Sequence, residues 1–341
     1  MKKLIYIIIC TLFLCSCEKE IDFNGELTDP RLVINSLVEL DQPVSARIGK
    51  SVFFLDNESD FQCPDDLVAT LYVNGNLYGI MDVVYDSMEM HYYNIYYEDS
   101  IAYKVDKRFQ SDYRPVVGDI IKITASAEGF EDVEGITSAM PTPVAFQLVE
   151  KTVLALDSYY MDFGGDSALY EYGYLDIYIE VTDPNPGQTD LFRLSIQSDD
   201  FERIDEYYSS NYYVSHEFND PIFGGSIESN DIIDIGDLDT RPEGVFSDAL
   251  FDGGSYRIKV PIYFNLTKFD TTDPDFFNVP ITLEHLSKEY YYYLNTCDQG
   301  DAITGFFAEP IQVYSNVTNG YGLVGGRSVN GTWLPLPLGR K

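Results

Sequence analysis

Tyr174-Leu-Asp-Ile-Tyr-Ile-Glu-Val181 is the stretch whose reading decides the fold. Leu175, Ile177, Ile179 and Val181 recur at every second position, and the residues between them are polar or Tyr. A period of two puts one set on a core and the other toward water, which a half-buried strand does and a helix does not. On the C-terminal side, Asp183-Pro-Asn-Pro-Gly187 reads as a turn and Leu191 to Ser198 as a returning strand. Tyr256 to Phe264 is a further strand, and Pro261 within it argues for an edge or a bulge. On the N-terminal side, Val44-Ser-Ala-Arg-Ile-Gly-Lys50 and Ile120-Ile-Lys-Ile-Thr-Ala-Ser-Ala127 alternate in the same way. Leu67 to Val73 meets Leu77 to Ile80 across Asn74-Gly75, the strongest short hairpin signal.

Strands at this spacing, with no helical period between them, predict a mainly β protein built as a two-domain β-sandwich. An immunoglobulin-like domain is expected over 31–140 and a second β-rich domain over 144–341. Met140-Pro-Thr-Pro143 is read as the linker, because its prolines favour extended backbone. One helix is expected near the C-terminus, over about 283–297. Leu283, Leu286, Tyr290 and Tyr293 or Leu294 recur there at three- and four-residue spacing, and Glu284 and Lys288 would form an i,i+4 pair. His285 is then a helix-surface or cap residue.

The N-terminus adds an address. Lys2 and Lys3 precede an uncharged run from Leu4 to Leu14, too short to span a bilayer and suited to a signal peptide over 1–16. Leu14-Cys15-Ser16-Cys17 resembles a bacterial lipobox, with Cys17 as the first mature residue. Its thiol would carry diacylglycerol, and each buried methylene contributes about 0.8 kcal/mol, so two or three chains anchor firmly. The expected membrane contact is therefore this lipid anchor, followed by an acidic tether over 17–30.

Charge excludes one class of partner. The chain has 22 Lys and Arg against 56 Asp and Glu, a net charge of −34. Removing 1–16 takes two lysines and leaves 20 − 56 = −36. Phosphate backbones are repelled by such a surface, so nucleic acid is not a partner. Hydrophobic content of 45% separates the chain from acidic disordered segments. Of five cysteines, Cys17, Cys63 and Cys297 remain after processing. Cys63 and Cys297 are read as unpaired, partly buried thiols, since they lie far apart in sequence and fall in different predicted domains.

No motif specifies catalysis, and no cofactor or metal is expected. Gly320-Tyr-Gly-Leu-Val-Gly325 spells a dinucleotide fingerprint but lacks the following helix and acidic residue. Its glycines are read as permitting tight turns and close backbone approach. His91, His216 and His285 have no metal-ligand spacing. Asp162 to Asp166 and Asp270 to Asp275 offer oxygens to calcium but do not match the EF-hand pattern, so solvated acidic loops are the favoured reading. Two tyrosine clusters are the candidate ligand-binding residues, each placed between strands. One holds Tyr92, Tyr93, Tyr96 and Tyr97; the other holds Tyr207, Tyr208, Tyr212 and Tyr213. Tyr beside Ser and Asn gives rigid contact area with adaptable hydrogen bonding, as in antibody paratopes. Strand propensity alone is the competing explanation.

Several stretches, taken in order, resemble one family. They are Cys17-Glu-Lys-Glu-Ile-Asp22, Leu71-Tyr-Val-Asn-Gly75, Phe251-Asp-Gly-Gly-Ser-Tyr256 and Glu289-Tyr-Tyr-Tyr-Tyr-Leu294, then Phe307-Ala-Glu-Pro310, Tyr314-Ser-Asn316 and Gly325-Gly326. Together they resemble the Bacteroidota lipoprotein family called domain of unknown function four-two-four-nine, across nearly the whole mature chain. The resemblance implies an outer-membrane lipoprotein, often encoded beside a TonB-dependent receptor, and brings no catalytic residue with it. The resulting expectation is an accessory ligand- or partner-binding module of an uptake system, exposed on the cell surface. The alternatives are a structural or adhesive surface lipoprotein and an envelope hydrolase.

Overall fold

The computed structural model describes residues 29–52, 63–94, 97–162, 167–197, 201–205, 208–224, 243–268, 278–297 and 313–336. The first strands are β1 (Leu32–Glu39), β2 (Ser45–Lys50), β3 (Val68–Val73), β4 (Asn76–Ile80), β5 (Asp82–Asn94) and β6 (Tyr97–Gln110). Next come β7 (Ile121–Ser126), β8 (Val133–Ile136), β9 (Phe146–Asp162), β10 (Ser167–Thr182), β11 (Leu191–Ile196) and β12 (Phe201–Asp205). The last are β13 (Tyr208–His216), β14 (Val245–Ser247), β15 (Ser255–Lys268), β16 (Asn278–Leu286), β17 (Val317–Thr318) and β18 (Tyr321–Pro335). Among the described residues one α-helix, α1 (Lys288–Cys297), follows β16 directly. The protein is mainly β, and among the described residues no sheet closes into a barrel.

Among the described residues three sheets enclose two sandwich cores, and a smaller apolar cluster lies under α1. An eight-stranded sheet runs β14-β11-β16-β18-β1-β2-β6-β5, and two five-stranded sheets run β12-β13-β15-β10-β9 and β17-β8-β7-β3-β4. Ile34, Ile48 and Phe109 of the long sheet pack with Leu71 and Ile123 of the third. Phe192, Ile281 and Leu283 at its other end pack with Ile177, Val260 and Phe264 of the second. The long sheet thus forms one wall of both sandwiches. The first sandwich is completed from the far end of the chain, because β18 runs parallel to β1 and β17 pairs with β8. The segment 141–143 is pinned rather than loose. The Thr142 carbonyl accepts from His285 Nδ1 and Ser328 Oγ, and Asn330 Nδ2 donates to the Val144 carbonyl.

Register follows from the alternation. Leu175, Ile177, Ile179 and Val181 are fully buried. A one-residue slip would turn all four outward, at about 1.5–3 kcal/mol each. The Asn74-Gly75 hairpin forms as expected, with both residues at positive φ, 50° and 79°. Strand β15 is central rather than an edge, which corrects the expectation from Pro261. Its pairing with β13 stops at Ile262, so the missing Pro261 N–H leaves no gap in that ladder.

The predicted helix over 283–297 begins too early. Residues up to Leu286 belong to β16, which pairs with β11 and β18 on its two sides. In a strand, a spacing of three puts residues on opposite faces. Leu283 enters the second core, whereas Leu286 turns the other way to meet Tyr290 and Leu294 of α1. What reads as a helical period is a strand and a helix sharing one apolar cluster. Ser287 starts the helix: its carbonyl accepts from Tyr291 N–H, and its Oγ receives Gly326 N–H. Glu284 does not pair with Lys288 on a helix; it accepts from Arg327 Nη1 at 2.7 Å. His285 is not a surface residue but lies buried within β16.

Glycines in Gly320 to Gly325 serve close approach. A Cβ on Gly322, at φ +108°, would stand 2.1 Å from the Ile34 carbonyl, and one on Gly325 would press on Tyr290. The run continues as β18, so no nucleotide-binding helix follows. Neither Cys63 nor Cys297 is joined in a disulfide.

Candidate functional site

Distant segments converge where β10 ends. Strand β10 stops at Thr182, opposite Ser255 at the start of β15, so the turn after β10 meets the turn before β15. Pro184 forces extended backbone on Asp183, whose carboxylate then gathers the donors of both turns. Asn185 N–H reaches Asp183 Oδ1 at 2.8 Å, and Gly253 N–H reaches Oδ2 at 2.6 Å. Gly187, at positive φ, donates its N–H to Asp252 Oδ1 at 2.7 Å. Asn185 Nδ2 bridges to both oxygens of Asp190 at 3.0 and 3.1 Å. Behind Asp190 stands His285, with Nε2 3.2 Å from Asp190 Oδ1. The other ring nitrogen, Nδ1, faces the Thr142 carbonyl at 2.7 Å, so it carries a hydrogen.

Asp248 completes the group from a short 3-10 turn, Asp248–Leu250. Its backbone N–H donates to the Asp190 carbonyl at 3.1 Å. The residue is 2% exposed, and its Oδ2 has no hydrogen-bond partner. One oxygen each from Asp183, Asp248 and Asp252 lie within 4.8 Å of one another. Burial pushes the Asp248 carboxyl above its usual range, and the charges of Asp190, Asp183 and Asp252 push the same way. Burial also raises Asp190, against the opposing pull of Asn185 and His285. Asp183 goes down instead: burial pushes it up, but the Gly253 and Asn185 N–H groups outweigh that. The set offers hard oxygen donors on one side and a histidine-held carboxyl on the other.

A second feature covers the outer face of the five-stranded sheet that carries β10. Residues turned away from the core along β10 include Tyr170, Tyr172, Tyr174 and Tyr178. Tyr159 of β9 packs on Tyr170 at 5.0 Å between centroids, and Tyr263 of β15 on Tyr174 at 5.0 Å. Arg257 lies over the Tyr178 ring at 4.5 Å and pairs with Glu150. Tyr172 donates to Asp157 Oδ2 at 3.0 Å, and Lys259 meets Asp176 at 2.8 Å. The result is an aromatic pavement with a carboxylate fringe. It extends to Tyr213 of β13, which is exposed and paired with Asn265, itself opposite Tyr172.

The sequence-predicted residues fall as follows. The described members of both tyrosine clusters sit on paired strands, not in loops, which corrects that expectation for them. Tyr92 and Tyr93 belong to β5 and Tyr97 to β6, in the long sheet. Tyr208, Tyr212 and Tyr213 belong to β13, in a different sheet. Cys17, Tyr96 and Tyr207 lie outside the described residues, as do 163–166 and 270–275 of the two calcium candidates. His216 pairs with Glu243 at 2.9 Å. Sequence reading missed the convergence of Asp183, Asp190, Asp248 and Asp252, because it spans 69 positions. The available signal was the register: an antiparallel β10–β15 pair ending at Thr182 and Ser255 brings Asp183 beside Asp252 and Gly253.

A family model described as Domain of unknown function (DUF4249) matches residues 18–332. The chain belongs to that family. No curated protein matches it. Among the described residues, no helix is long and apolar enough to cross a membrane, which says nothing of a β-barrel.

Proposed function

We propose that this member of the DUF4249 family is a lipid-anchored outer-membrane protein. In this reading it is held by Cys17, displayed at the cell surface, and binds a partner or ligand as an accessory module of a TonB-dependent uptake system. The observation that carries the binding part is the tyrosine pavement around Tyr170, Tyr172 and Tyr174. Tyr174 is 52% exposed although it sits mid-strand in the sheet. Rings held rigid by neighbouring rings lose little entropy on binding, and their hydroxyls add hydrogen bonds at the rim. An aromatic face of this kind supports binding better than a purely structural role, for which charged side chains would keep the sheet soluble. The anchor and the receptor rest on the lipobox resemblance and on the family resemblance.

The test is purification of the full chain from native membrane in mild detergent. A TonB-dependent receptor is expected to come with the wild type. The Tyr170→Ala, Tyr174→Ala double variant should lose most of it while melting at the wild-type temperature. Undiminished recovery with that variant, or purification without any receptor, would refute the reading. Labelled palmitate should enter the wild type and not Cys17→Ala.

A further inference from the structure

We propose that Asp183, Asp248 and Asp252 form a calcium site that locks the turn after β10 to the turns before β15. The inference stands apart from the tyrosine pavement and from the membrane anchor. Three observations carry it. First, the three carboxylates each present an oxygen within 4.8 Å of the other two. Oxygens sharing one calcium at 2.3–2.6 Å stand at most about 5.2 Å apart, so no backbone movement is needed to bring them onto one ion. Second, Asp248 Oδ2 is buried without a partner. Protonating Asp248 does not repair this, because an O–H or C=O at that position would be equally unpaired. Leaving such an atom unsatisfied costs about 1–3 kcal/mol, whereas a cation takes up its lone pair directly. Third, the hydrogen bonds already made fix the carboxylates without using them up. Asp183 receives one N–H on each oxygen and Asp252 one N–H on Oδ1, leaving further lone pairs on both.

Calcium fits this donor set for stated reasons. All three ligands are hard oxygens, and no histidine or thiol faces the ion position among the described residues. His285 is engaged with Asp190 and Thr142 and acts as a positioning residue. Asp252 is exposed, so the site opens to water on one side, and water supplies remaining positions in a shell of six to eight. The like-charge crowding that raises Asp248 is what a divalent ion would neutralise. A water molecule has only two hydrogens to offer three acceptors and leaves the charges in place.

The experiment uses the detergent-solubilised full chain, stripped with EDTA and returned to metal-free buffer. Calcium chloride at 10 mM should raise Tm by roughly 3–6 °C, with a midpoint of about 0.1–1 mM. Asp252→Asn changes an exposed side chain, so it should fold normally and raise the calcium midpoint at least tenfold. Asp248→Asn should abolish the shift and leave the metal-free Tm equal or higher. Should Asp248→Asn fail to fold, Asp252→Asn carries the test alone. A wild-type Tm indifferent to calcium, with no heat in a calorimetric titration, overturns the site. So does an unchanged midpoint in Asp252→Asn, which would trace the binding to other acidic surface. A shift of equal size with magnesium chloride overturns the assignment to calcium.

Discussion

Asp119 in the first sandwich and Asp248 in the second are both buried carboxylates in turns next to a strand, and the fold treats them oppositely. Asp119 accepts Tyr113 O–H at 2.6 Å, Val116 N–H at 2.9 Å and Asn74 Nδ2 at 2.8 Å. Burial pushes Asp119 up, yet these donors outweigh it and hold the carboxyl below its usual range. Asp248 has three carboxylates for company and an oxygen with no donor, so its carboxyl rises. Burial is common to both; the supply of donors is not. A buried acid surrounded by donors is part of the scaffold, and one surrounded by acids is waiting for something positive.

Removing the donors' target should give the largest effect. Asp119→Ala strands Tyr113 O–H, Val116 N–H and an Asn74 amide hydrogen, and should destabilise the protein by about 3 kcal/mol in denaturant unfolding. Asp248→Ala or Asp248→Asn in metal-free buffer should change stability by under about 1 kcal/mol, and in the stabilising direction for Asn. If the two sites respond alike, the contrast between them fails.

Titration sharpens the contrast through opposite signs. A carboxyl lowered by folding contributes stability above its ordinary value of 3.8 and loses it as pH falls through the folded value, as for Asp119. A carboxyl raised by folding is a burden when ionised. For Asp248 and Asp190 the metal-free protein should therefore gain stability as pH falls from neutral toward about 4. Below that, the Asp119 limb should take over and stability should drop. Asp248→Asn should flatten the first limb and keep the second, as read from urea midpoints against pH.

A last effect, at the alkaline end, concerns Tyr113. Burial, then the hydrogen bond to Asp119, pushes its hydroxyl from 10.0 up to about 12. The folded state thus holds that proton longer than the unfolded chain, so stability should decline as pH rises across this window. Tyr113→Phe should cost about 1 kcal/mol at neutral pH, and its alkaline limb should be shallower than that of the wild type.

The two sites also differ in how far sequence exposes them. Asn74-Gly75 is legible because a two-residue turn is a local device, and Asp119 lies next to the strand that this turn helps to place. The alternation in Tyr174 to Val181 is equally local and fixes both strand and core face. The helix boundary was not legible, since Leu283 and Leu286 mimic a helical spacing while serving two different cores. Asp190, Asp248 and His285 were not legible either. Each sits in a separate stretch with no motif around it, and only the pairing of β11 with β14 and β16 sets them side by side. The tyrosine pavement lay half in view: Tyr174 and Tyr178 were seen as the outward set of a strand. The packing of Tyr263 on Tyr174, and of Tyr159 on Tyr170, required the register.

The parallel pairing of β1 with β18 has a consequence for the order of synthesis. Val33 lies beside Tyr321, a separation of 321 − 33 = 288 residues. A chain that emerges N-terminus first therefore holds one flank of β1 open until those intervening residues and β18 have been made. During that interval the exposed ladder groups are a template for wrong neighbours. Contacts this far apart in sequence also make for slow folding. Trimming the last strand would leave the first sandwich without its inner neighbour, although every residue of that sandwich's own opening segment would still be present.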